Sequence, residues 1–256
     1  MTQTDKARAF ADLHVKGTPL VLYNIWDAGS AKVVADAGAS AIATGSWSVA
    51  EAQGYRDGQS LPLDFLLQIA TRIVASVDVP VSIDFEGGYA EDPAALAENV
   101  RRLIDTGAVG INFEDQHVGG EGLFDIATQC KRIEAIRAAA EAAGIDLFIN
   151  ARTDLFLKEK DREKHGTLIA ETMERAGNYA SAGASGFFTP ALVDTSLTQQ
   201  LCEASPLPVN VMKIAGAAPL AELARLGVAR VSYGPGPFRQ AVTTLAASYE
   251  KAMAQD

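Results

Sequence analysis

The segment VSIDFEGGY, Val81 to Tyr89, sets two carboxylates one residue apart, Asp84 and Glu86, at the end of a run of strand-forming residues. Two later segments share its build. GINFED carries Glu114 and INARTD carries Arg152, each two residues after an asparagine, Asn112 and Asn150. Alternate side chains of an extended chain share a face. Ser82, Asp84 and Glu86 therefore fall on one face of the first segment, Asn112 and Glu114 on one face of the second, and Asn150 and Arg152 on one face of the third. Ile83, Phe85, Phe113 and Ala151 between them are apolar. Three carboxylates brought together repel, and burial strengthens the repulsion. A proton or a divalent cation relieves it. An oxygen-only donor set, without a cysteine or histidine cluster, suits a hard ion, so Asp84, Glu86 and Glu114 point to Mg2+, with Mn2+ possible, held directly or through water. For Asp84 and Glu86 alone the plain alternative is a solvated strand end; Glu114 and Arg152 at matching positions argue against it.

The elements that would position these residues recur along the chain. ADAGASAIATG (Ala35–Gly45), DTGAVGINFED (Asp105–Asp115), EAAGIDLFINARTD (Glu141–Asp154), SAGASGFFTP (Ser181–Pro190) and RLGVARVSYG (Arg225–Gly234) each run from a helical tail through a glycine into a short apolar strand. Glycine suits the position just past a helix because it enters the left-handed region freely. Filling the gaps gives eight strands, near residues 20–23, 41–45, 80–84, 109–113, 146–151, 186–189, 208–212 and 229–232, with helical patterns between them such as Pro93–Thr106 and Ile126–Ala143. Strand–helix alternation argues for a parallel sheet. Eight units in 256 residues match a (β/α)8 TIM barrel of the α/β class, one domain over residues 1–256; a doubly wound sheet is the competitor. Barrel sites form at the C-terminal strand ends, where the three segments place their carboxylates and guanidinium.

Composition narrows the function. With 32 acidic and 22 basic residues the net charge is −10, which disfavours nucleic acid as a partner. No run of about 18 apolar residues suggests a membrane span, and the N-terminal residues show no secretory leader pattern. Cys130 and Cys202 stand far apart in no motif and read as reduced thiols of a cytoplasmic protein. His14 and His165 read as surface residues.

The segments IDFEGGY, GINFEDQ, INARTD, FFTPAL and LPVNVM, with YNIWDAGSAKVVADAGASAIATGS near the start, resemble in that order the isocitrate lyase / phosphoenolpyruvate mutase superfamily, from about Leu20 to Gly236. The resemblance implies a Mg2+-dependent barrel enzyme acting on a small 2-oxo or 2-hydroxy carboxylate through an enolate that the cation stabilises. By position, it implies that Asp84, Glu86, Glu114 and Asp57 surround the metal and that Arg152 holds the substrate. It also implies that Gly45, Ser46 and Trp47 grip a carboxylate or phosphoryl end, and that Trp26 and Asn210 line the pocket. It further implies a homo-oligomer, dimer or tetramer, in which the last helix, near 239–254, is exchanged between subunits.

The chain departs from the family in two places. Glu86 stands where the family usually has aspartate. The loop QHVGGEGLFD, Gln116 to Asp125, lacks the cysteine of the isocitrate and methylisocitrate lyases and the lysine and asparagine of the phosphonomutases. A glycine-rich lid (Gly119, Gly120, Gly122) remains, with His117 and Glu121 as candidate acid or base. The expectation is a C–C lyase for a small di- or tricarboxylate, oxaloacetate decarboxylase-like or methylisocitrate lyase-like. The alternatives are a phosphonomutase or phosphonopyruvate hydrolase, and a non-catalytic ligand-binding barrel. Lys213 offers a minor Schiff-base reading, and GPGPF (Gly234–Phe238) reads as a rigid turn.

Overall fold

The computed structural model describes residues 1–254. After α1 (Gln3–Asp12) the chain runs β1 (Leu20–Leu22), α2 (Ala28–Asp36), β2 (Ile42–Ala43), α3 (Ser46–Ala52), α4 (Leu63–Ser76), β3 (Val81–Asp84), α5 (Pro93–Ile104), β4 (Gly110–Glu114) and α6 (Ile126–Ala142). It continues with β5 (Phe148–Arg152), α7 (Leu155–Lys158), a 3-10 turn (Arg162–Lys164), α8 (His165–Ser181), β6 (Gly186–Thr189), α9 (Thr195–Ala204), β7 (Val209–Met212), α10 (Leu220–Arg225), β8 (Arg230–Ser232) and α11 (Gly236–Met253). All strand pairs are parallel, in the order β1-β8-β7-β6-β5-β4-β3-β2. A parallel bridge between Ile25 and Thr44 closes the ring. This is the (β/α)8 barrel.

The local rules behind the repeat hold. Gly38, Gly107, Gly144, Gly183 and Gly227 all have positive φ. At Gly107 a Cβ would also stand 2.8 Å from Val74, so the turn needs glycine for conformation and for space. Asp92 caps α5 by accepting from the N–H groups of Ala94 and Ala95, with Pro93 in the first turn, where the missing N–H costs nothing.

Ile83, Ile111, Phe113, Ile149, Ala151, Val211 and Val231 are buried in the hydrophobic core. Their strand neighbours turn polar side chains inward, as the bond from Arg230 on β8 to Asn112 on β4 across the barrel shows. The bottom is plugged by α1. Phe10 packs edge-on against Phe148, and His14 stacks on the same ring at 3.9 Å. Both histidines expected at the surface are therefore corrected: His14 and His165 are buried. His14 donates from Nδ1 to the Phe10 carbonyl, and burial, then Arg230, pushes its pKa down to about 3. His165 sits edge-on to Phe156 with Nε2 against the Glu159 carbonyl.

Candidate active site

The ends of β2, β3, β4 and β5 converge on a cavity of about 210 Å3 lined by Asn24, Gly45, Ser46, Trp47, Asp57, Asp84, Asn112 and Arg152, with Leu157, Phe188, Pro190, Met212, Ser232, Gly234 and Pro235 completing its wall. Arg152 is its cation. Asp154 grips it from the side, accepting at Oδ1 from Nε at 2.6 Å and at Oδ2 from Nη2 at 3.0 Å, and Glu114 Oε2 forms an ion pair with Nη1 at 2.9 Å. These carboxylates hold the guanidinium well above its usual pKa against the opposing effect of burial. Asp154 thereby takes two of its five N–H groups, and the Nη1 end lies against Glu114.

Asp84 is the carboxylate facing it across the cavity. Oδ2 accepts from the Ser46 N–H at 2.9 Å, its own N–H donates to Thr44 Oγ1, and Oδ1 is buried without a protein partner. Such an acceptor is costly unless something else meets it. Ser46, expected to grip substrate through its backbone, gives that N–H to Asp84 here.

Glu86 does not share the strand face predicted for it. The ladder ends at Asp84, and Glu86 opens a turn with φ of 50°. Its carboxylate accepts from the Gln59 N–H at 2.8 Å and lies beside the Tyr89 hydroxyl. Burial, then Asp84, Glu114 and Asp57, pushes its pKa up to about 8. Gln59, Glu86 and Tyr89 all have positive φ, and such conformations persist where surrounding contacts enforce them. Gly87 is less a hinge than a contact: a Cβ there would stand 2.9 Å from Val118 of the lid. Glu114 is raised by burial, opposed by Arg152. Asp57, at the rim, is raised by burial and by Asp84. These carboxyls lie near enough to raise one another, with Asp84 and Asp57 lining the cavity and Glu86 and Glu114 outside its wall, and among the described residues no three acidic, histidine or cysteine side chains form a compact metal site.

Other predicted residues lie elsewhere. Trp26 is outside this cavity, edge-on to Phe238 and lining a neighbouring groove. Trp47 does line the cavity, with Arg239 over its ring at 4.6 Å. Asn210 lies below, paired with Ser232. The lid is narrow and tied down, with Gln116 bridged to Leu123 and the His117 N–H on the Gly122 carbonyl. His117 packs on Phe124 with Nδ1 3.5 Å from Glu91, and Glu121 is exposed; neither lines the cavity. Lys213 is spent on the carbonyls of Ala217 and Ala218, against a Schiff-base role. Sequence reasoning misses Asp154 and gives Asn24, a polar residue at the end of strand 1, no role. Asn24 accepts from the Tyr233 and Gly234 N–H groups and donates to the Thr44 carbonyl, fixing three sides of the cavity. Asp154 is legible in INARTD, two residues past the guanidinium it holds.

A parallel barrel with carboxylates and one braced arginine at the C-terminal strand ends is the architecture of a barrel enzyme. The chain belongs to the phosphoenolpyruvate phosphomutase family, whose model matches residues 10–253. It is similar to a protein of Burkholderia cenocepacia J2315 provisionally described as a phosphonomutase, with a TM-score of 0.95, 48% identity, and coverage of 98% of this chain and 99% of that one. It is 35% identical over 230 residues to an uncharacterized protein of Mycobacterium tuberculosis (strain ATCC 25618 / H37Rv), covering 90% of this chain and 83% of the relative. It is 28% identical over 250 residues to the 2-methylisocitrate lyase of Escherichia coli (strain K12), covering 93% and 81%.

Proposed function

We propose that the chain is a Mg2+-dependent lyase that breaks a C–C bond in a small 2-oxo or 2-hydroxy di- or tricarboxylate. The observation that carries this reading is the pairing, in the wall of one small cavity, of a guanidinium braced by Asp154 and Glu114 and a buried carboxylate with one unpartnered oxygen. Similarity to a 2-methylisocitrate lyase supports it.

The donor set fits the cation. Asp84 Oδ1 is an orphaned oxygen, Glu86 and Glu114 are carboxyls that burial holds above their usual range, and all donors are oxygens, as a hard ion prefers. Asp84 would bind it most directly, with Glu86, Glu114 and Asp57 reaching it through water. Mn2+ fits the same set. When bound, the ion neutralises charge developing on the 2-oxo oxygen. Arg152 binds the adjacent carboxylate, and Trp47, Leu157 and Phe188 exclude water. No lysine, cysteine or histidine is among the lining residues. That suits a leaving group needing no protein acid, as when a diacid such as oxaloacetate loses CO2: the C3–C4 bond breaks, its electrons stay on C3, and C3 takes a proton from water.

A second reading, C–P chemistry of the phosphonomutase or phosphonopyruvate hydrolase kind, is favoured by the 48%-identical neighbour. Calorimetry with oxalate, a planar mimic of the pyruvate enolate, tests the site. Binding that requires Mg2+ is expected; no binding with or without it would leave a non-catalytic barrel. Turnover of oxaloacetate, 2-methylisocitrate and phosphonopyruvate then separates the two chemistries.

We infer that copies associate by exchanging α11. In this 18-residue helix only Pro237 is buried, and Val242, Leu245, Tyr249 and Met253 are exposed. On β1 Val21, and just past it Tyr23, are exposed and line a groove of about 730 Å3 that also includes Val15, Val33 and Val34, apolar ground for a partner's helix. Light scattering of the full chain is expected to show a dimer or tetramer, and Leu245→Glu a monomer. No helix among the described residues is long and apolar enough to cross a membrane, and both cysteines are free, which agrees with a place in the cytoplasm.

A further inference from the structure

The cavity has a floor as well as a rim. Asn112 lines it from β4, and the side-chain oxygen of that residue accepts two hydrogen bonds from deeper in the barrel, from Asn150 Nδ2 at 2.8 Å and from Arg230 Nη2 at 3.0 Å. A guanidinium only donates, so the Asn112 atom it meets must be the oxygen. The amide is thereby oriented. Its donating end, Nδ2, is turned away from Arg230 and meets no acceptor among the described residues. Arg230 is fully buried, and its Nε and Nη1 also meet no protein acceptor. A buried guanidinium without a carboxylate against it is costly, and a well-packed apolar residue would fill the same barrel layer at less cost. Burial lowers its pKa to about 9, opposed by Asp84, so it remains a cation at neutral pH.

We propose that Asn112 is a substrate-binding donor and that Arg230 is the positioning residue that turns its Nδ2 into the cavity. The donor would serve a carboxylate or 2-oxo oxygen lying between Arg152 and Asp84. An amide free to rotate would present its oxygen half the time and repel the same anion; the clamp by Arg230 and Asn150 prevents this. The proposal rests on the carboxylate-binding reading of the cavity.

The test is oxalate calorimetry in Mg2+ on the full-length wild type, Asn112→Asp, Arg230→Met and the double variant, with the melting temperature of each recorded. Asn112→Asp keeps an oxygen for Arg230 and Asn150 but replaces the donor with a second acceptor. Its affinity is expected to fall by at least about tenfold, the weight of one hydrogen bond to a charged group. Arg230→Met is expected to weaken binding about threefold and to add nothing in the Asn112→Asp background, because a residue acting only through another loses its effect when that other is gone. Arg230→Lys, which keeps a donor to the same oxygen, is expected to restore affinity. Wild-type binding with Asn112→Asp unchanged overturns the proposal alone. Additive losses overturn the positioning role of Arg230. No wild-type binding overturns the carboxylate reading and this proposal with it. If Arg230→Met fails to fold, Asn150→Leu removes the other half of the clamp and takes its place in the cycle.

Discussion

Glu114 and Asp115 are adjacent, both buried, and treated in opposite ways. Asp115 points out of the barrel toward the helices, where Arg175 Nη1 at 3.0 Å, the Tyr179 hydroxyl at 2.9 Å and the Asp154 N–H at 3.1 Å meet its oxygens. Glu114 points inward, sharing Arg152 with Asp154 among carboxylates that repel it. Burial raises both, and each is opposed by its arginine. Asp115 has a full set of partners and serves the architecture. It joins the foot of the lid, where Arg175 also donates to the Phe124 carbonyl, to the turn that carries Asp154. Glu114 is left short of positive charge, and that shortage is what a cation would relieve.

The comparison breaks most visibly at the arginines. Arg152→Ala is expected to weaken oxalate binding in Mg2+ by more than about a hundredfold, since a charge-assisted partner of the ligand is removed; calorimetry reads this. Arg175→Met strands the Asp115 charge between sheet and helices and is expected to destabilise the fold by about 3–5 kcal/mol, lowering the melting temperature by roughly 10 °C. Scanning calorimetry reads that loss.

Acidity sharpens the contrast. In the metal-free fold Glu86 has its pKa raised from 4.5 to about 8, so the native state keeps a proton that the unfolded chain releases across that window. Stability is therefore greatest below pH 4.5 as far as this group is concerned and falls as pH rises toward 8. A drop of roughly 5 °C in melting temperature between pH 5 and 8 is expected, and saturating Mg2+ should abolish it. A flat profile would mean that Glu86 is ordinary. Glu114→Gln is expected to leave the metal-free protein as stable as wild type, within about 1 kcal/mol, while Mg2+-dependent oxalate binding falls at least tenfold. His117→Ala, outside the cavity, is expected to change turnover by less than about twofold, an ordinary surface effect.

The parts of this site that can be read in the sequence are those set by regular geometry. Asn112, Glu114, Asn150 and Arg152 sit in strands of five residues, so period two holds and their faces are as expected. It fails at Glu86 because the ladder has already ended; the turn there starts one residue before the glycines that announce it. Helices α5 and α6 end within two residues of their expected limits, since Asp92, Pro93 and the following glycines mark the ends chemically. The buried cations are invisible in the sequence. Nothing local distinguishes Arg175 or Arg230, both inside, from Arg101, paired with Glu98 and Asp105 on the surface; burial is decided by partners far away in the chain. The same holds for Trp26, which reads as a pocket aromatic and instead meets Phe238 more than two hundred positions later.

The ring of strands is not sewn equally all round. β4 and β5 face each other over five residues, whereas the joint between the chain after β1 and the chain around β2 consists of the Ile25 N–H on the Ala43 carbonyl and the Gly45 N–H on the Ile25 carbonyl. A hoop stitched at seven joints and clasped at the eighth gives first at the clasp, and this clasp lies directly beneath Gly45 and Ser46. Amide exchange should therefore be fastest at Ile25 and Gly45 among barrel residues and should slow when the cavity is filled, because Gly45 belongs both to the clasp and to the cavity wall.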